Sequence, residues 1–477
     1  MGYETTAAMS LRSVDGERFV RPLRFLGMGM LIAWLCCTHV PDIYCGDSAV
    51  LRSAMDAGMR CGDIGMFVVL ACFARRIGPL GARMKAIAPF VVLTAVGTGL
   101  VGLVLVPQGF SATAVSIASC AAALGGALLF CLWAEVYSQM GATQMVVYGA
   151  CSCLAAFFLY VLVATMMQPY AVIATALLPL GSFGCVAASF ALVPREKPRM
   201  KDVRYAVPWK IAAIMTVAGF ASGFAGALLL NPEGQGAVHR IWATGVAGAV
   251  VLGMAFFRSE EFDIRSLAHL CVPLAVAAFA LIPAAWSSAG FAVSFLIKLA
   301  YVWFTLFALM LLANTAFRFG APTLRMFALA RACSEGAMFA GISLRRLLQD
   351  VGLTQDGWVL PVCAIAGIAA VCACVVLWRS EDAVNADWGA AGIEIESGRR
   401  VEGPRERLIA RCECLASEYG LTARETEVLM LIACRKTRAE MEQELFLSQN
   451  TVKTHVRHVY AKLGVHSKAD VYELVGE

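Results

Sequence analysis

The chain has 477 residues, of which 59% are hydrophobic and 15% charged, with a mean hydropathy of +0.71. A soluble domain averages about 45–50% apolar and about 25% charged residues, so a soluble enzyme of this size and a disordered chain are both excluded, and most of the protein must take lipid as its solvent. The net charge of +5 hints at nucleic acid, but 25 Lys/Arg and 17 Asp/Glu lie in residues 1–378, and 14 and 17 in residues 379–477, so the basic excess lies in the apolar part and the tail is net acidic.

Before the break, twelve runs reach the length of about 20 mostly apolar residues that a membrane span needs. They cover 23–40, 58–74, 86–106, 111–133, 145–166, 170–193, 209–230, 237–257, 266–286, 289–313, 323–343 and 357–378. The first is not a cleavable signal, because eleven more follow it and no small-residue cleavage site stands out. With a cytoplasmic N-terminus the inner segments carry 18 basic residues and the outer ones five (Arg52, Arg60, Arg240, Arg345 and Arg346). That bias orients the chain with both termini cytoplasmic. Trp133, Trp209, Trp286, Trp358 and Trp378 fall near span ends, where indoles favour the interface.

Within the spans, Lys298, Arg331, Glu335 and Asp63 are candidates for binding a small ligand or coupling protons, because ionisable groups in lipid are costly. The competing reading is structural, with Arg331 and Glu335 neutralising each other across one turn. His39, Glu135 and His269 read as interfacial residues. Gly219-x-x-x-Gly223 and the cluster Gly97, Gly99, Gly102 read as close helix packing. Most of the 18 cysteines lie in apolar runs and act as small hydrophobes. Cys45 and Cys61 fall on the outer side, where a disulfide is chemically permitted. No catalytic motif, metal-ligand spacing or cofactor loop is present, so no enzyme, metal or cofactor is expected.

The basic loop 194–210 divides the spans into six and six, giving halves of about 23–193 and 209–378. Two six-helix halves joined in this way resemble the major facilitator architecture. The loop at 74–85 (ARRIGPLGARMK) is similar to that superfamily's glycine-arginine loop but lacks its acidic residue.

Residues 379–403 read as an acidic linker, and a helix is predicted from Pro404 to Glu418. Thereafter Thr422/Glu425 and Thr437/Glu440 form capping boxes, Ser448 and Ser467 are N-caps, and Gly464 is a stop. These signals predict helices at 423–434, 438–445, 449–463 and 468–475. On the third, Val452, Val456, Val459 and Leu463 form the inward stripe, leaving Lys453, Thr454, Arg457, His458 and Lys462 outward. A short helix, a tight turn and a basic helix make a helix-turn-helix for double-stranded DNA.

The run from Leu421 closely resembles the LuxR-type C-terminal helix-turn-helix domain. Leu421-Thr422, Arg424-Glu425, Glu427-Val428-Leu429, Ser448-x-x-Thr451-Val452-Lys453-Thr454-His455-Val456 and Lys462-Leu463-Gly464-Val465 carry the match. The resemblance implies a DNA-binding set of Ser448, Thr451, Val452, Lys453, Thr454, His455, Arg457 and Lys462. Of these, Lys453, Thr454 and Arg457 would reach base edges, and Thr451, His455 and Lys462 the backbone. It also implies homodimerisation through Ser467–Val475. Arg435 and Glu442 depart from the family, which has glycine and a small residue there, so a perturbed turn is expected at Arg435. The fold expected is all-α: a polytopic transmembrane bundle over 1–378 and a DNA-reading domain over 404–477. A transporter-like sensor of an unknown small molecule, controlling transcription, is the expected function. The alternative is an active secondary transporter with a regulatory tail.

Overall fold

The computed structural model describes residues 26–38, 48–140, 142–192, 209–228, 240–257, 290–319, 322–350, 404–445 and 449–475, with a few isolated positions between 274 and 368. Among the described residues, every regular element is a helix.

The first half contributes α1 (Leu26–Cys37), α2 (Ala49–Ile77), α3 (Met84–Leu100), α4 (Ala112–Tyr137), α5 (Ala142–Ala164) and α6 (Tyr170–Leu192). The second contributes α7 (Trp209–Leu228), α8 (Arg240–Phe257), α9 (Gly290–Phe319) and α10 (Thr323–Asp350). Ten of the twelve expected spans thus appear as helices, while the expected spans at 266–286 and 357–378 fall largely outside the described residues. Among the described residues, six helices are long and apolar enough to cross a membrane by length and composition. Their outer faces keep large apolar side chains exposed, such as Ile117 at 67% and Phe158 at 66%. Only a hydrocarbon solvent makes that surface favourable, and a helix satisfies its own backbone there.

α2 starts about nine residues before the apolar run, because the Ser48 hydroxyl caps it by accepting from Leu51 N at 3.3 Å. That places Arg60 inside a helix, not in an outer loop. Within the halves α2 packs on α4, α3 on α4 and α6, and α7 on α10. Across the halves α2 meets α10, and α5 meets α8.

Glycines set the α7–α10 approach. A Cβ on Gly219 or Gly223 would sit 2.4 and 2.2 Å from the carbonyl oxygens of Ser334 and Met338. Trp133 is fully buried, and its Nε1 donates to Ser182 Oγ at 2.9 Å. It therefore joins α4 to α6 and is not an interfacial anchor. Glu135 is also buried, accepting from Leu80 N and Gly81 N at 2.8 and 2.9 Å. It fixes the loop between α2 and α3 from the end of α4, so its role is a structural clasp.

The tail comprises α11 (Pro404–Glu418), α12 (Ala423–Ala433), α13 (Arg438–Leu445), α14 (Gln449–Leu463) and α15 (Lys468–Val475). Its apolar core is separate from that of the membrane half. Leu408, Cys412 and Leu415 of α11 join Val428, Leu429, Met441, Val452, Val456, Val459 and Val471 there. Helix α11 also contacts α9 of the membrane half.

Candidate functional site

The basic helix α14 is positioned by its neighbours. Val452, Val456, Val459 and Leu463 are buried at a spacing that keeps one stripe inward. Lys453, Thr454, Arg457 and His458 are consequently exposed together, one and two turns into the helix. Arg424 ties the scaffold, donating from Nη2 to Leu445 O at 2.7 Å and pairing with Glu427. This anchors α12 to the C-terminal end of α13. Ser448, with residues 446 and 447 where a tight turn was expected, lies outside the described residues.

Both capping boxes form. Glu425 Oε2 accepts from Thr422 N at 2.8 Å, and Thr422 Oγ1 accepts from Glu425 N at 3.3 Å. Glu440 Oε2 likewise accepts from Thr437 N at 2.8 Å. Ser467 Oγ accepts from Asp470 N at 3.2 Å to start α15. Gly464 stops α14 at φ 69°, a left-handed angle that glycine adopts without strain.

Three expected contact residues sit differently from a solvated basic face. Val452 is fully buried, so its side chain holds α14 to the core and does not reach outward. Lys462 Nζ donates to Glu425 Oε2 at 2.7 Å and to Gly420 O at 2.9 Å. It clasps α14 to the start of α12. His455 is half-buried, and its Nδ1 is enclosed with no hydrogen-bond partner among the described residues. Thr451 is half-buried beside it. The Lys462 and Thr422 hydrogen bonds hold the Glu425 carboxyl far below the usual range, at about 2.

Arg435 adopts φ 55°, the left-handed region. The turn nonetheless closes, with Arg435 N on Ile432 O at 2.8 Å and Lys436 N on Leu431 O at 3.0 Å. The guanidinium lies over the Tyr472 ring at 5.1 Å, so the departure from glycine is accommodated.

The membrane half gathers a charge network where its halves meet. Arg60 Nε bonds Asp56 Oδ1 at 3.0 Å on α2, and Arg60 Nη1 lies 3.8 Å from Glu335 Oε2 on α10. Arg331 Nη2 pairs with Glu335 Oε1 at 2.6 Å, and its guanidinium lies over Phe130 and Phe67 at 5.0 and 5.9 Å. Asp63 lies within electrostatic range of Glu335, Arg331 and Arg60. Three of the four expected residues therefore converge, and the fourth, Lys298, lies on α9. Asp56 and Arg60 were missed as members. Their signal was the spacing Asp56, Arg60, Asp63, which follows one helix face once the helix is extended upstream.

His39, Cys45 and His269 lie outside the described residues, and Cys61 is an exposed thiol on α2. Among the described residues, no group of three or more His, Cys, Asp or Glu is placed to hold a metal ion.

Residues 420–475 match the model of bacterial regulatory proteins of the luxR family. The chain is 43% identical over 56 residues to the spore germination protein GerE of Bacillus subtilis, covering 12% of this chain and 76% of that protein. It is 49% identical over 49 residues to the probable transcriptional regulatory protein NarL of Mycobacterium tuberculosis, covering 10% of this chain and only 23% of that one. The membrane half is similar to the crystal structure of a bacterial homologue of the iron transporter ferroportin in an outward-facing state with soaked iron. That likeness has a TM-score of 0.51 at 13% identity and covers 76% of this chain and 98% of that chain; it shows the fold alone.

Proposed function

Since this chain belongs to the luxR family of bacterial regulatory proteins, we propose that it is a membrane-embedded, one-component transcription regulator. The observation that carries this reading is the exposed Lys453, Thr454 and Arg457 face of α14, set by a separate core at the end of a transporter-like, multi-pass membrane fold.

In this reading residues 1–378 sense, 379–403 link and 404–477 read DNA. Helix α14 enters the major groove, with Lys453, Thr454 and Arg457 at base edges and Thr451 and His455 toward the backbone. Lys462, clasped to Glu425, fixes the helix and adds positive potential. Binding to one half-site is weak, because few cations face the phosphates of a net-acidic tail. Pairing through α15 on two half-sites supplies the affinity. Both termini lie on the cytoplasmic side of a bacterial inner membrane.

A small molecule held near Asp63, Arg331 and Glu335, with Lys298, shifts the halves between two arrangements in proportion to its differential affinity. Helix α11 offers the route outward, because it contacts α9 on one side and shares the core of the reader on the other.

The transporter fold favours one second reading, a working carrier with a regulatory tail. Promoter output and vesicle uptake, measured on the same variants, separate the two. The regulator reading expects Glu335→Ala to change reporter output from the target promoter. Substrate accumulation abolished by Glu335→Ala, with reporter output unchanged, would favour transport. Unchanged output after residues 1–378 are replaced by an unrelated anchor would reduce the membrane half to a tether.

A further inference from the structure

Residues 74–85 carry four cations and no acidic residue. Arg75 and Arg76 lie in the last turn of α2, Arg83 in the connecting loop and Lys85 in the first turn of α3, and all four are exposed. Between Asp63 and Glu135 the sequence has no carboxylate at all. Among the described residues none of the four cations forms an ion pair. Arg83 instead turns back to α2, where its Nη2 donates to Arg76 O at 3.4 Å. Three guanidinium groups therefore share one helix end.

A freely solvated loop would scatter these charges, but this one is fixed at three points. Gly78 ends α2 at φ 66°, with its N–H on Ala74 O at 2.9 Å. Glu135 of α4 accepts from Leu80 N and Gly81 N, and Leu80 is buried. Gly81 is packed on α6, since a Cβ there would come 2.7 Å from the Phe190 ring. The backbone that carries the cations is thus ordered before any partner arrives, which lowers the cost of binding.

The surface beside the cations is apolar and faces outward. On α2, Phe73 and Val69 lie one and two turns before Arg76 on the same face, 47% and 46% exposed. On α3, Pro89, Val92 and Val96 follow Lys85 at helical spacing and are exposed as well. Each row runs from apolar side chains to a cation, which matches a phospholipid from acyl chain to headgroup. A guanidinium offers paired donors to phosphate oxygens, and basic clusters at the end of a span attract anionic headgroups.

We propose that Arg75, Arg76, Arg83 and Lys85 form a binding site for the headgroup of an anionic phospholipid, with its acyl chains along the exposed faces of α2 and α3. The site is separate from the charge network between the halves, and it stands whether or not the tail reads DNA.

The test uses the full chain in nonionic detergent micelles, without DNA. Phosphatidylglycerol is the anionic probe, phosphatidylcholine with the same acyl chains the zwitterionic one, and inorganic phosphate the free anion. Phosphatidylglycerol should raise the unfolding temperature saturably, and the other two should leave it unchanged. Arg75→Gln, Arg76→Gln, Arg83→Gln and Lys85→Gln combined should raise the lipid concentration required at least tenfold, since each cation contributes about fivefold. Arg346→Gln, at an exposed arginine of α10, should not raise it. A second measurement needs no variant: in the unaltered protein, phosphatidylglycerol should slow modification of Arg76 and Arg83 by an arginine-specific dicarbonyl reagent, read by mass spectrometry, and leave Arg346 unaffected. No saturable shift with phosphatidylglycerol, an equal shift with phosphatidylcholine or inorganic phosphate, or equal modification of Arg76 and Arg83 with and without the lipid would overturn the proposal. So would a lipid response that appears only after residues 379–403 are deleted, because the loop would then belong to the acidic linker.

Discussion

Arg435 holds a backbone angle that costs an ordinary residue roughly 1–2 kcal/mol, and it recovers part of this by lying over Tyr472. The two effects can be separated. Arg435→Ala keeps the strain and loses the ring contact, while Arg435→Gly loses the contact and removes the strain. The glycine variant of the tail should therefore be more stable than the alanine variant by about 1 kcal/mol in urea unfolding. Glu425 makes a second prediction. Its carboxyl is held at about 2 against an ordinary 4.5, so its contribution is complete above pH 4.5 and is lost as pH falls from there toward 2. The stability of the tail should decline across that window, and Glu425→Gln should flatten the decline while costing on the order of 1 kcal/mol at neutral pH. The cap itself was legible from Thr422 and Glu425 alone. The Lys462 clasp was not, because it joins residues 37 positions apart.

Helix α14 divides its residues between two tasks, and substitutions should separate them. Lys453→Ala should weaken specific DNA binding by about 1–3 kcal/mol and leave the melting temperature of the tail unchanged, since Lys453 is exposed. Val452→Ala should do the reverse, lowering the melting temperature through a core cavity. Paired titration and calorimetry on each variant check both directions. Helices α7 and α10 meet through Gly219 and Gly223, where a Cβ clashes with backbone carbonyls. Gly223→Leu should force the helices apart and yield aggregated material on size-exclusion chromatography, while Gly184→Leu, with open space at its Cβ position, should remain monodisperse. The elements of the tail were legible to within a residue, because caps, stop and stripe agree at each end. The start of α2 was not, because Arg52, Ser53 and Asp56 interrupt the apolar residues of 49–57, which are held in a helix by the Ser48 cap and by packing on α4.

The whole molecule joins two kinds of solvent. The spans were legible because hydrocarbon demands long apolar runs, and ten of the twelve appear as helices. Which helices meet was not, because the Arg60–Glu335 approach joins residues far apart in the chain, and periodicity carries no information about such partners. The charge total misled for a related reason: its excess lies in the membrane half, whereas the DNA signal is a local face of α14. The account stands on that face reading DNA. A mobility-shift titration of residues 400–477 on the DNA upstream of the protein's own gene measures this directly. The account predicts sequence-specific retention that steepens with half-site pairing, weakens as salt rises and is shifted to higher protein concentration by Lys453→Ala. Equal retention of unrelated DNA, or none even at low salt and high protein, would contradict it.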